Sequence, residues 1–145
     1  MATAFGRTAL ESSEARGHPV YILDGVDLAL SALSDADQFT DVPFDFAGVL
    51  TGFRIMTGDA VVTTAAKACT LNVHIGATAV TGLEAALVSA DIDTKGEILF
   101  DVVPTNPDVD NYTFAASDTW SIVGSSTTSF VEGDIRIWLI AERTP

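Results

Sequence analysis

The sequence predicts an all-β fold: an antiparallel β-sandwich or barrel-like domain, with at most a short helix near residues 63–69 and an extended N-terminal arm. Three observations carry this reading. Short apolar runs recur from about Val42 to the C-terminus. Clusters of Gly, Asp, Asn and Pro separate them. Several runs alternate apolar and polar residues with a period of two, the mark of a half-buried strand.

Taken in chain order, residues 1–40 stand apart as an arm or cap, followed by a β domain over 41–145. The segment HPVYILDGVDLALSALSDADQ mixes small, acidic and apolar residues without a sustained period. A disordered terminus is the competing description. Val20, Tyr21, Ile22 and Leu23 argue against it, because a free tail would leave them in water. In VLTGFRIMTG, Phe53 and Ile55 fall on one side and Arg54 and Met56 on the other. AVV, TLNVHI, EAALV, EILFDVV, TWSIVG and DIRIWLIA are the further short apolar runs. Turns are expected at Thr57-Gly58-Asp59, Gly76, Thr81-Gly82, Lys95-Gly96, Pro104 to Asp110, Gly124 to Ser126 and Glu132-Gly133. Thr63 to Cys69 is the exception: its three alanines favour a helical turn, capped by Thr63 or Thr64. Ile135 to Ile140 is apolar on both faces, so that strand should lie centrally or beneath a partner.

Composition narrows the function. The 145 residues suit one domain with a core of its own. Hydrophobic residues make up 48% and the mean hydropathy is +0.33. No run reaches the ~20 apolar residues of a membrane helix, so the apolar surplus is expected to be buried within the chain or between subunits. With 20 acidic against 7 basic residues the net charge is −13. Nucleic acid and anionic membranes are therefore not expected as partners, since phosphate binding needs clustered Lys and Arg. The acidity instead keeps an apolar chain in solution. The first residues show no basic stretch followed by an apolar core, so no secretory signal is read there. Cys69 is the sole cysteine and can form no internal disulfide.

No constellation of catalytic residues emerges, and the chain is not expected to be an enzyme. Asp91 to Gly96 begins like a calcium loop, but Lys95 occupies an oxygen-ligand position and Val102 the closing glutamate position. A hairpin turn accounts for it. Asp108, Asp110 and Asn111 offer oxygen ligands on a loop, or an Asx-rich turn after Pro107. His18, His74 and Cys69 lack the paired spacing of a zinc site. There is no G-x-S-x-G elbow and no Gly-rich phosphate loop. The hydroxyl-rich Gly124 to Ser129 reads as a solvated hairpin loop. Trp120 and Trp138 alternate with aliphatics, so core or interface packing competes with sugar stacking. No cofactor and no metal are expected.

A series of motifs runs in order from Phe46: FAGVLTGF, TTAAKACTLNVHI, AVTGLEAAL, FAASDTWSIV and SSTTSFVEGDIRIWL. In this order they resemble the small head-decoration proteins of tailed bacteriophages. The resemblance spans about two thirds of the chain and rests on turns and strands. Ser117 and Leu83 stand where glycines are common in that family. What the resemblance implies is a structural virion protein, a homotrimer on the outer surface of the capsid, binding the major capsid protein and cementing or decorating capsomers. Under that reading Phe5, Arg7, His18 and Tyr21 are the candidates for capsid contact, and Ile135, Ile137, Trp138, Leu139 and Ile140 for the subunit interface. The alternative is a non-catalytic binding module, such as a phage fibre or a lectin-like domain for host surfaces.

Overall fold

The computed structural model describes residues 19–62, 65–103 and 112–144. The described residues form nine strands and two 3-10 turns, with no α-helix. The strands are β1 (Pro19–Ala29), β2 (Asp37–Pro43), β3 (Gly48–Thr57), β4 (Ala68–Ile75), β5 (Thr78–Val88), β6 (Ile98–Val102), β7 (Thr113–Phe114), β8 (Thr119–Thr128) and β9 (Asp134–Arg143). One sheet has the order β1-β9-β3-β6, with β7 added beside the start of β3. The other has the order β2-β8-β4-β5. Every pairing is antiparallel. The all-β expectation therefore holds, as two sheets over a shared core.

The core lies between the sheets. Leu50, Phe53, Ile55, Ile135, Ile137 and Leu139 come from the first, and Leu71, Val73, Leu83, Trp120 and Ile122 from the second. Every one is at most 2% exposed. The period-two pattern does this directly: β9 buries Ile135, Ile137, Leu139 and Ala141 and turns Arg136, Trp138 and Ile140 outward. β9 sits between β1 and β3, so the strand with two apolar faces is central.

The segment up to residue 40, set apart in the sequence as an arm or cap, supplies an edge strand to each sheet from Pro19 onward. β1 runs along β9, and Leu23 reaches the core. Its alternation is hard to see in the sequence because the register shifts twice, between Tyr21 and Leu23 and between Leu23 and Val26. Each bulge inserts a residue and resets the period.

Several local expectations are corrected. Residues 65–67 form no helix, and Ala68-Cys69 open β4; Thr63 and Thr64 lie outside the described residues. Helix propensity of a few alanines is a weak force against pairing with two neighbouring strands. Thr81-Gly82 is not a turn between strands but lies inside β5, with Gly82 at φ +87°. The Asn72 amide braces it, donating to Leu83 O at 2.8 Å and Val80 O at 3.4 Å. Gly124 to Thr128 belong to β8 and not to a loop. A Cβ at Gly124 would collide with Ser34 O, so the glycine admits the close approach of another segment. Ala60 to Val62 form no strand; Val61 N donates to Ile92 O at 2.7 Å. The stretch from Asp91 to Gly96 is a connection from one sheet to the other and not a hairpin turn. Turns do occur at Gly58, Gly76, Gly96 and Gly133, and the last three have positive φ.

Candidate functional site

The outer face of the five-stranded sheet concentrates the side chains suited to recognition. Pairing sets its rows. Asp27 lies opposite Arg136, Tyr21 opposite Ile140, Arg54 opposite Trp138 and Asp101 opposite Arg54. Met56 lies opposite both Arg136 and Ile98. Tyr21 is 55% and Ile98 52% exposed, while Trp138, Ile140 and Met56 are half-buried. Two glycines explain why the central apolar side chains lie low. A Cβ at Gly25 would stand 3.2 Å from Trp138 Nε1, and one at Gly52 would stand 3.3 Å from Ile140 Cδ1. Each large side chain thus covers a glycine on the adjacent strand.

Two ion pairs flank this platform. Arg136 Nε donates to Asp27 Oδ1 at 2.8 Å and Nη2 approaches Oδ2 at 3.4 Å. Arg54 Nη2 donates to Asp101 Oδ2 at 3.0 Å. The hydrogen bond from Arg136 holds the Asp27 carboxyl below the ordinary carboxylate value, and both guanidinium groups are raised by their partners. Both pairs are exposed to solvent, so they contribute orientation and local neutrality more than stability.

The outer face of the other sheet is different in kind. Thr70, Asn72, His74, Val123 and Ser125 form it on β4 and β8, with Ser121 buried among them at 4% exposure, and Glu84, Ala86 and Val88 on β5. It has no aromatic residue on these three strands and is mostly short and polar. His74 is half-buried, opposite Ala79 and Ser121. Among the described residues no group of three or more His, Cys, Asp or Glu could hold a metal ion. Among them, too, no helix is long and apolar enough to cross a membrane.

The sequence-derived site residues divide sharply. Phe5, Arg7 and His18 lie outside the described residues, as do Asp108, Asp110 and Asn111. Tyr21 is on the outer face of β1. Ile135, Ile137 and Leu139 are 0% exposed, buried between the sheets of one chain. They are core residues, and a partner subunit has no access to them. Trp138 and Ile140 alone of that group remain on the outer face. Trp120, 2% exposed and in ring contact with Phe39, has no face for a sugar. The arginine–aspartate pairs were not singled out in the sequence, because Asp27 and Arg136 stand 109 positions apart and Arg54 and Asp101 stand 47 apart. Glycines within alternating segments, at 25 and 52, were the available signal of a close approach.

Compared with known proteins, the chain matches no protein-family model, no curated protein and no solved structure.

Proposed function

We propose that this protein is a structural, non-catalytic component of a tailed-bacteriophage virion, which binds the outside of the capsid as a homotrimer and cements or decorates capsomers. The observation that carries the reading is the ordered motif series together with where its members fall. FAGVLTGF leads into β3, TTAAKACTLNVHI into β4, FAASDTWSIV into β8 and SFVEGDIRIWL into β9, while AVTGLEAAL is the bulged β5. The motifs are thus the strand entries and bends of one two-sheet scaffold, as a structural family would need. An acidic surface with a net charge of −13 keeps such a protein soluble until it docks.

The test is co-sedimentation with empty phage heads. Saturable binding in many copies per head is the expected result. Removal of residues 2–18 should weaken that binding while leaving the assembled state intact, because the truncation spares every described strand. Absence of saturable binding to any head preparation would sink the proposal. Equal binding by the truncated chain would remove Phe5, Arg7 and His18 from the contact.

A further inference from the structure

We propose that the Asp24-Gly25 peptide in β1 is a site of spontaneous aspartyl isomerisation, a covalent modification that lengthens the main chain where it meets Trp138. Its chemistry does not depend on the function proposed above. Asp24-Gly25 is the only Asp-Gly step in the 145 residues, and no Asn-Gly step occurs. Isomerisation needs the backbone nitrogen of the following residue to reach the aspartyl carboxyl carbon. A side chain on that residue hinders the approach, and glycine has none.

The structure leaves this peptide free to react. Asp24 is exposed, and among the described residues its carboxylate has no hydrogen-bond or salt-bridge partner. β1 is an edge strand, restrained by β9 alone. The ladder breaks here: Leu23 lies opposite Leu139 and Val26 opposite Ile137, so Asp24 and Gly25 together face Trp138. Gly25 has φ +66°. A regular strand holds the attacking nitrogen away from the carboxyl carbon, whereas a bulge on an edge strand opens more readily than the paired positions beside it. Asp35 and Asp59 also precede a small residue, but their carboxylates are engaged by Thr127 and Lys95.

The steps balance with water alone. The Gly25 nitrogen attacks the protonated Asp24 carboxyl group. A C–N bond forms, a carboxyl C–O bond breaks, and the proton on nitrogen leaves with the hydroxyl as water. Water then adds to one of the two carbonyls of the resulting succinimide. Addition at the former side-chain carbonyl restores aspartate. Addition at the former backbone carbonyl breaks its bond to nitrogen and leaves the chain running through the Asp24 side chain. That isoaspartyl link adds one methylene to the main chain. Trp138 Nε1 stands only 3.2 Å from a Cβ placed on Gly25. The longer chain therefore loses the register of Leu23 or of Val26 beneath the indole. Pro19 to Leu23 loosen from β9 as a result.

The test incubates the full chain for weeks at mildly acidic pH in water enriched in oxygen-18, followed by peptide mapping. Each succinimide opening fixes one heavy oxygen. Label and a chromatographically separate isoaspartyl form are expected in the peptide holding Asp24, ahead of every other aspartate. Asp24→Glu retains the charge and should lose the label there, because closure then needs a six-membered ring. Hydrogen exchange of Val20 to Leu23 should be faster in aged wild type than in fresh protein, and unchanged in aged Asp24→Glu. A parallel sample in urea checks that the peptide is reactive once unfolded. Label in urea with none in the folded chain overturns the inference, because the strand then protects its own peptide. Earlier labelling at Asp35 or Asp59 overturns it as well. Label at Asp24 with unaltered exchange in β1 overturns the predicted loss of register.

Discussion

Trp138 and Gly25 meet across β9 and β1: the indole covers the glycine so closely that a Cβ there would stand 3.2 Å from Nε1. Gly25 also has φ +66°, a conformation that other L-residues adopt at a cost. Bulge and tryptophan therefore depend on each other. Gly25→Ala should destabilise the fold by about 1–3 kcal/mol, combining backbone strain with a displaced indole. Gly76→Ala is the control, with φ +60° and nothing within 4 Å of the added carbon. It should cost only the backbone part, about 1 kcal/mol. Urea unfolding of both variants measures the difference, and equal losses would show that the indole contact contributes nothing.

The two faces of β9 should respond differently to truncation. Ile137 is 0% exposed and Ile140 half-buried on the outer face. Ile137→Ala should lower stability by about 2–5 kcal/mol through lost burial and a residual cavity. Ile140→Ala should cost about 1 kcal/mol or less. Chemical denaturation at low protein concentration separates the two. A larger loss for Ile140→Ala would mean that β9 is facing the other way.

Thr57 Oγ1 is buried and has no hydrogen-bond partner among the described residues. Its residue is 1% exposed, at the end of β3 beside Ile135. Thr57→Val replaces the hydroxyl with a methyl of nearly the same shape, so the cost of a desolvated polar group disappears. Stability should rise by about 1 kcal/mol, or roughly 2–4 °C in Tm for a chain of this size. A drop in Tm would indicate that the hydroxyl has a partner after all.

Asp35 ties the loop before β2 to the end of β8. The Thr127 hydroxyl, and after it the Thr127 N–H at 2.8 Å, hold its carboxyl below the ordinary value of 3.8. A depressed folded-state value contributes stability that is whole above the ordinary value and is lost as pH falls through the folded one. Asp35→Ala should therefore be less stable than wild type at pH 7, and the gap should narrow as the pH falls below 3.8. Thermal melts of both proteins from pH 7 to pH 2 test the sign. A gap that widens on acidification would contradict it.

The fold class was legible because burial on one side of a strand imposes a period of two, and β3 and β9 show it plainly. Phe53 and Ile55 face the core and Arg54 and Met56 do not, as alternation required. The glycines at 58, 76, 96 and 133 marked real turns, since their neighbours on either side are strands or sheet connections. Gly82 and Gly124 looked the same in the sequence and are not turns. One sits at positive φ inside β5, and the other admits Ser34 O beside β8. A glycine announces an unusual backbone or a close neighbour, and only the neighbour tells which.

By itself, the sequence determined that this protein is made of short antiparallel strands, that its surface is acidic, and that β9 is apolar on both sides. Those are local properties of composition and periodicity. Tertiary structure alone decided which face of β9 is interior, why Trp120 is buried and Trp138 covers a glycine, and that Asp27 finds Arg136 and Asp101 finds Arg54. The bulges in β1 decided which of its residues face the core. The physical reason is register. A one-residue insertion exchanges inside for outside, and which strands pair is settled by contacts between residues a hundred positions apart, where no local period remains to be read.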